Sequence, residues 1–402
     1  MTADSFGPPA RPNSSPNRLD ALLTLRGIAC CLVIVAHCGP PRESLGLAGI
    51  DWSWLMFAPG GVAVRVFFGL SGYLMGKGFY TQRYRLDRPG ILRYFQNRAT
   101  RILPLYYACV LLSGWLVYPH IWQPENWGYF IRLLTFTYEH SLPIAFNAPL
   151  WSLSTEVQFY AIVPLIFWLS RKYLKTGRAI GRAIGSIILL LTIYRFGMFE
   201  LIQWLQGDTE NNPYFIRYIY TFLPANLDAF LVGFWLNPLI QRLHQRGDRV
   251  GAIALNARPT LVKRAAIGGL MLLYLLSANW KYQGSDWALL ISPTLTVIAT
   301  GFFIFAVEYR AYFSSIHNRK LSRSAIDQNP KRILEILGIL SFGMYVWHYP
   351  LLHQIAPLIP VSSPLGAYGM RLGLVLISSI SLAALSYFWI EIPAIQWRKK
   401  AP

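Results

Sequence analysis

Two residues in the first apolar segment, Arg26 and His37, have side chains that could bind an anion and move a proton. They lie 11 residues apart in the stretch LRGIACCLVIVAH. At about 100° and 1.5 Å per residue, a helix of that length returns to within about 20° of the same direction and rises about 16 Å. One helix face would therefore carry a guanidinium near one end and an imidazole at the other.

The imidazole of His37 suits general-base chemistry, because its ordinary pKa of about 6.5 lies near neutral pH. A histidine at a helix end is also commonly structural, and the spacing alone leaves both interpretations open. Glu156 lies about two turns into a later apolar segment, at a depth comparable to that of His37. It could orient the imidazole, or it could be a structural carboxylate paired with Arg65 or Arg195.

The composition is that of an integral membrane protein. Of the 402 residues, 54% are hydrophobic and only 14% are charged, against about 25% charged residues in a typical soluble domain. Several stretches of about 20 nearly uncharged residues have the length of membrane spans. Charged groups inside such spans are costly unless they are paired or face a polar cavity, which makes each of them a functional candidate.

The apolar runs predict an all-α integral membrane protein with about ten transmembrane helices in one bundle. The predicted spans begin near Leu19, Gly60, Ile102, Leu150, Ala183, Phe215, Val262, Trp287, Ile333 and Tyr368. Three units follow, namely a flexible cytoplasmic N-terminal tail over 1–18, a transmembrane domain over 19–397 and a cytoplasmic tail over 398–402. The first tail is polar and indicates no cleavable signal peptide.

The placement of the basic residues argues against a nucleic-acid partner, although the net charge is +19. About 29 of the 37 lysines and arginines lie in alternate connections between apolar segments. Such an excess is typical of cytoplasmic loops. It predicts a multi-pass protein of the inner or plasma membrane with both termini in the cytoplasm. The four cysteines have no metal-ligand spacing, and no metal is expected.

Further motifs follow one another along nearly the whole chain. They are Arg-(ten residues)-His from Arg26, FFGLSG, RATRILP, WSLSTEVQFY, YVWHYP and a terminal IEIP. This series resembles the acyltransferase-3 family of membrane O-acyltransferases. Two departures are the stretch from Asp20 to Arg26, which is two residues longer than the common form, and ANLDAF around Asp228, where many members have an arginine before Leu-Asp.

The resemblance implies a membrane-embedded O-acyltransferase. Members of the family move an acyl group, usually acetyl, from cytoplasmic acyl-CoA to a hydroxyl of an extracytoplasmic or lipid-linked glycan. The partners implied are thus acetyl-CoA or another acyl-CoA, the glycan acceptor and the lipid bilayer. His37 would be a general base or a transient acyl carrier, with Glu156 as the second catalytic residue.

The resemblance also implies two sets of binding residues. Arg26, Arg98 and Arg101 would bind acyl-CoA, and the last two stand at the predicted start of a helix, where backbone N–H groups favour anions. The alternative for these two is ordinary cytoplasmic charge. The residues expected to bind substrate or line the cavity are Ser71, Trp151, Tyr160 and His348.

A purely structural role stays open for two of the predicted cavity residues. Ser71 precedes a glycine in mid-span, where close helix packing is as good an explanation as nucleophilic chemistry. His348 could be a satisfied core histidine. A different function is also open, because polar residues inside spans can line the path of a transporter or flippase of a polysaccharide precursor. No inverted repeat typical of transporters is visible in the sequence.

Overall fold

A computed structural model describes residues 20–138, 146–206, 213–245, 259–309, 332–360 and 363–400. The predicted tail over 1–18, most of the basic connection over 310–332 and part of the one over 242–264 lie outside these ranges. The division of the chain into three units therefore stays a prediction. In the described C-terminal part, a helix continues to Lys400 across the predicted boundary at 398.

The described chain is almost entirely helical. The helices are α1 (Ala21–His37), α2 (Gly60–Tyr80), α3 (Arg88–Leu116), α4 (Trp127–Leu134), α5 (Leu150–Tyr173), α6 (Gly177–Gln206), α7 (Pro213–Phe215), α8 (Leu223–Gln245), α9 (Pro259–Tyr282), α10 (Trp287–Leu290), α11 (Ser292–Glu308), α12 (Ile333–Ile355), α13 (Pro364–Ser386) and α14 (Ile392–Lys400). A π-helical stretch over Ile216–Thr221 extends α7, and another over Tyr387–Glu391 joins α13 to α14. A small antiparallel hairpin of β1 (Gly46–Leu47) and β2 (Ile50–Asp51) follows α1.

Seven described helical stretches are long and apolar enough to cross a membrane. They are Ser53–Tyr80, Arg88–Leu116, Leu150–Tyr173, Gly177–Leu205, Pro213–Leu243, Thr260–Tyr282 and Pro364–Arg398. The helices α1 and α11 are apolar but shorter, at 17 residues each. An all-α multi-pass membrane protein is thus confirmed, whereas the total of about ten spans stays a prediction.

The first helix begins at a clear capping residue. The Asp20 side chain accepts hydrogen bonds from the backbone N–H groups of Leu22 and Leu23, at 3.1 and 3.0 Å, which satisfies donors that have no partner inside the helix. The backbone N–H of Asp20 in turn donates to Glu335 on α12 at 2.5 Å. The longer stretch between Asp20 and Arg26 is therefore ordered helix from its start.

Two glycines bring α1 and α12 into backbone contact. A Cβ atom on Gly27 would lie 2.8 Å from the backbone of Gly338 and of Leu334, and one on Gly338 would lie 2.0 Å from the carbonyl oxygen of Leu23. Small residues permit this close approach, as they do between membrane helices in general. The contacts advance in the same direction along both helices, so α1 and α12 run parallel.

The helices α2 and α8 meet in a similar way. A Cβ atom on Gly72 would lie 2.0 Å from the carbonyl oxygen of Phe230, and one on Gly233 would lie 2.1 Å from that of Gly69. The close-packing interpretation of the Ser-Gly pair is therefore right for Gly72. Ser71, its neighbour, points to a different helix and belongs to a polar cluster described below.

The helix α3 begins 14 residues before Ile102, where the sequence predicted the span to start. The predicted start is therefore wrong for this helix. Its first residue is Arg88, and Asp87 caps it by accepting from the N–H of Gly90 at 2.9 Å. Hydropathy locates only the apolar part of a helix, and the first turns of α3 are polar. Arg98 and Arg101 consequently lie inside the helix, where N-terminal N–H groups cannot help them to bind an anion.

Candidate active site

His37 and His348 form a contacting pair of imidazoles at one end of α1, here called the imidazole pair. Nδ1 of His37 lies 2.9 Å from Nε2 of His348, and the two rings stack with centroids 5.1 Å apart. The ring of Tyr349 lies edge-on to His37 at 5.5 Å. His37 is exposed, while His348 is completely buried. One imidazole therefore faces the surroundings and the other supports it from within.

A proline shapes α12 around the imidazole pair. Pro350 has no N–H, so the carbonyl oxygen of Val346, four residues earlier, loses its helical partner. Asn147 donates to this oxygen from Nδ2 at 2.9 Å, and the Cys109 thiol does so at 3.2 Å. Asn147, in the segment before α5, and Cys109, in the middle of α3, are thereby bound to α12 at Val346, two residues before His348.

Ser71, Glu156 and Tyr160 form a hydroxyl–carboxylate cluster between α2 and α5. Both hydroxyls donate to Oε1 of Glu156, that of Tyr160 at 2.5 Å, and they lie 2.5 Å from each other. Glu156 and Tyr160 are four residues apart and so share a face of α5. Ser71 and Tyr160 are buried, with exposed fractions of 5% and 7%. Three of the predicted site residues thus meet in one place.

Arg26, Arg98 and Arg101 form an arginine cluster toward the opposite end of α1. Arg101 lies within electrostatic range of Arg26, Arg98 and the carboxylate of Glu391. Arg26 is held by its Nε, which donates to the hydroxyl of Ser341 at 3.0 Å. Nε of Arg98 is buried and has no hydrogen-bond partner in the described part of the chain. The cluster has more positive than negative charge and can accept an anion.

Two tyrosines connect these groups. The guanidinium of Arg98 lies 5.8 Å from the ring centre of Tyr160, which joins the arginine cluster to the hydroxyl–carboxylate cluster. The ring of Tyr345 lies 5.7 Å from His348, and its hydroxyl lies 2.6 Å from that of Ser152 on α5. Polar groups on α5 therefore reach toward both ends of α1.

The expected partners of Glu156 need correction. The imidazole of His37 is supported by His348, and the carboxylate of Glu156 is engaged by two hydroxyls. Arg195 forms a fully buried ion pair with Asp228 at 2.5 Å. Arg65 donates to the carbonyl oxygen of Gly61 at 3.3 Å. Sequence spacing along separate helices could not distinguish these pairings, because it does not show which helices are neighbours.

Trp151 packs as part of an aromatic wall. Its ring lies 4.9 Å from that of Tyr220 and 6.1 Å from that of Phe68, and only 4% of the residue is exposed. A crevice too narrow to hold a water molecule is lined by Arg65, Thr300 and small residues of α2 and α8. The predicted site residues do not line this crevice, so it does not locate a donor or acceptor.

Several residues that position the site had no role in the sequence interpretation. They are Ser341, which holds Arg26, Ser152, which binds Tyr345, and the pair Asn147 and Cys109, which binds the Val346 carbonyl. Pro350 was a usable signal, because a proline inside a helix predicts an unpaired carbonyl four residues earlier. Within the described ranges, no group of three or more His, Cys, Asp or Glu residues could hold a metal ion.

The fold and the site define a multi-helix membrane protein in which one helix joins an arginine cluster to an imidazole pair. Residues 19–389 match the family model described as an acyltransferase domain, and the chain belongs to that acyltransferase family. The enzymes of this class transfer acyl groups other than amino-acyl groups. The resemblance stated from the motifs is thereby confirmed.

Two curated relatives illustrate the likeness. The O-acetyltransferase OatA of Staphylococcus aureus (strain NCTC 8325 / PS 47) is 23% identical over 398 residues, covering 94% of this chain and 57% of the relative. The peptidoglycan O-acetyltransferase OatA of Listeria monocytogenes is 24% identical over 393 residues, covering 92% of this chain and 54% of the relative. This chain thus spans little more than half of each relative. No solved structure matches it.

Proposed function

We propose that this protein is a membrane O-acetyltransferase that moves an acetyl group from cytoplasmic acetyl-CoA to a hydroxyl of an extracytoplasmic or lipid-linked glycan. Family membership and the names of the two relatives support acetyl transfer to a glycan. The observation that carries the proposal is the arrangement of α1, with Arg26 toward one end and His37 at the other. Neither the family nor these relatives support the transporter alternative.

The arginine cluster is the proposed binding site for the donor phosphates. Guanidinium groups bind phosphate oxygens through paired, charge-assisted hydrogen bonds. Within the described ranges the buried Nε of Arg98 has no hydrogen-bond partner, and this fits an anionic ligand there, as does the excess of positive charge around Arg101. Because neither Arg98 nor Arg101 stands at a helix N-terminus, the guanidinium groups rather than the helix N-terminus supply the attraction.

The imidazole pair is the proposed place of the chemistry. His37 acts as the general base, taking the proton of the acceptor hydroxyl as its oxygen attacks the acetyl carbonyl carbon. The carbon–sulfur bond of the thioester then breaks, and CoA leaves as its thiolate. The exposed position of His37 allows an acceptor to approach it directly. The alternative in which His37 itself carries the acetyl group transiently uses the same side chain.

The hydroxyl–carboxylate cluster is the proposed middle of the transfer path. Tyr160 contacts Glu156 on one side and Arg98 on the other. The cluster could therefore guide the pantetheine arm and thioester from the arginine cluster toward His37. Glu156 keeps the catalytic role assigned to it from the motif, here by holding the hydroxyls of Ser71 and Tyr160 in place.

The proposed topology places the arginine cluster in the cytoplasmic half of the inner or plasma membrane and the imidazole pair in the outer half, with both chain termini cytoplasmic. The excess of basic residues in alternate connections supports this orientation. The parallel course of α1 and α12 fits it too, because both helices would leave the cytoplasmic side. Cysteines introduced within 123–126 should then react with an impermeant thiol reagent from outside.

The direct test is acetyl transfer by purified protein in detergent, with labelled acetyl-CoA as the donor and soluble peptidoglycan fragments as the acceptor. We expect labelled product from the wild type and a loss of about 10³-fold in kcat for His37→Ala, since general bases contribute roughly 10²- to 10⁴-fold. The control is His353→Ala, which removes an exposed imidazole on the neighbouring helix α12. Full activity of folded His37→Ala would overturn the assignment, and absence of any CoA-dependent product would favour transport.

A further inference from the structure

The hydrogen bonds of His348 define where its proton lies. Its Nδ1 is 2.6 Å from the carbonyl oxygen of Tyr345. A carbonyl oxygen can only accept, so Nδ1 must carry the hydrogen. His348 is completely buried, and a buried imidazole bonded only to neutral groups is more stable uncharged. Its Nε2 therefore has a lone pair.

This lone pair determines the proton position on His37. Nδ1 of His37 lies 2.9 Å from Nε2 of His348. Because that Nε2 is an acceptor, Nδ1 of His37 must be the donor. A neutral imidazole carries one ring proton, which leaves Nε2 of His37 unprotonated. The opposite arrangement would require two protons on His348, and hence a cation at a site with no exposure to solvent.

We propose that His348 is a positioning residue that fixes the tautomer of His37, so that His37 presents Nε2 as the base for the acceptor hydroxyl. This inference rests on the proposed function for its catalytic meaning. When the hydroxyl oxygen bonds to the acetyl carbon and the thiolate leaves, the hydroxyl proton moves to Nε2 of His37. The bond from Nδ1 of His37 to His348 persists, which keeps the imidazolium oriented.

The orientation of His348, and through it of His37, starts from the backbone of α12. The carbonyl oxygen of Tyr345 orients His348, and His348 orients His37. The glycine contacts between α1 and α12 bring the two rings within reach. A neutral partner orients the base while adding little electrostatic stabilisation to its charged form, unlike the aspartate of a serine hydrolase.

The tautomer can be measured without any activity. We would label the histidines with ¹⁵N, record the ring nitrogen shifts of the wild type in detergent above the pH at which imidazoles titrate, and assign His37 by its absence from His37→Ala. The expected result is a protonated Nδ1 and a bare Nε2 on His37. A His37 protonated on Nε2 would overturn the proposal. The tautomer measured in this way does not depend on whether the protein transfers acetyl groups.

Two substitutions at His348 separate positioning from mere packing. In His348→Gln the side-chain oxygen can still accept from Nδ1 of His37, whereas His348→Leu has no acceptor. We expect kcat of the leucine variant to fall by about 10- to 100-fold, the size of the loss when a residue that orients a metal-bound imidazole is removed, with an unchanged KM for acetyl-CoA. The glutamine variant should recover most of the loss. Equal losses in both, or wild-type kcat in the leucine variant, would contradict the proposal.

Discussion

The two ends of α1 differ in how their functional groups are held. At one end, His37 makes a directed contact of 2.9 Å with the buried His348 on α12. At the other, Arg26, Arg98 and Arg101 stand within electrostatic range of one another, and the buried Nε of Arg98 has no hydrogen-bond partner among the residues that the structure describes. The first arrangement is complete before any ligand arrives. The second has an excess of positive charge, which the proposed anionic donor would neutralise.

This difference implies a separation of kinetic effects. A directed base lowers the barrier of the chemical step, so changes there should appear in kcat. An incompletely neutralised cationic cluster gains most when the donor binds, so changes there should appear in KM. The predictions below test this separation, in order of expected size.

Of three further substitutions, the one with the largest expected effect is in the arginine cluster. The double variant Arg98→Gln/Arg101→Gln should raise KM for acetyl-CoA by about 10- to 100-fold, because hydrogen bonds to charged groups are worth roughly 1.5–3 kcal/mol. Steady-state kinetics at varied acetyl-CoA measures it. Arg93→Gln is the matched control, since Arg93 is exposed on the same helix α3. A fall in kcat at unchanged KM would break the comparison between the two ends.

A smaller effect is expected where α1 and α12 touch. Gly338→Ala places a methyl group against the carbonyl oxygen of Leu23, and overpacking of this kind costs about 1–3 kcal/mol. The unfolding temperature in detergent should fall, and kcat should fall with it as the imidazoles separate. Gly373→Ala is the control, because its Cβ would meet nothing within 4 Å. Equal stability of the two variants would show that the contact is not tight.

The smallest effect is expected at the carbonyl oxygen of Val346. Asn147→Ala removes one of its donors and should destabilise the protein by about 1–2 kcal/mol, the cost of a buried polar group left poorly satisfied. Pro350→Ala restores a backbone N–H that can take the place of Asn147. In a double-mutant cycle of unfolding free energies, the second change should therefore offset part of the first. Strict additivity would argue against this coupling.

The class of fold was predictable from the sequence, and part of the site was too. Uncharged stretches of span length identified an all-α membrane protein, and the motifs named Ser71, Glu156 and Tyr160, which the structure brings together. The motifs also named both members of the imidazole pair. None of this required knowledge of helix neighbours, because periodicity and motif order are local properties of the chain.

What could not be predicted depends on contacts between distant helices. His348, which contacts His37, is 311 residues away from it in the chain. For the same reason, the alternatives left open for Glu156 did not include its contacts with Ser71 and Tyr160. The start of α3 was misplaced because polar helical turns outside the apolar run leave no hydropathy signal. Pro350 could be recognised in the sequence, because a proline inside a helix indicates an unpaired carbonyl oxygen four residues earlier. The donors to that carbonyl oxygen, on Val346, could not be predicted, since they come from α3 and from the segment before α5.

The central claim is that α1 joins a donor side to an acceptor side, and sidedness tests it most directly. Purified protein would be sealed in liposomes, with acetyl-CoA inside and soluble peptidoglycan fragments outside, because neither crosses a lipid bilayer. We predict acetylated fragments outside in this arrangement and none when both reactants are supplied on the same side of intact vesicles. Efficient acetylation with donor and acceptor on the same side would contradict the account.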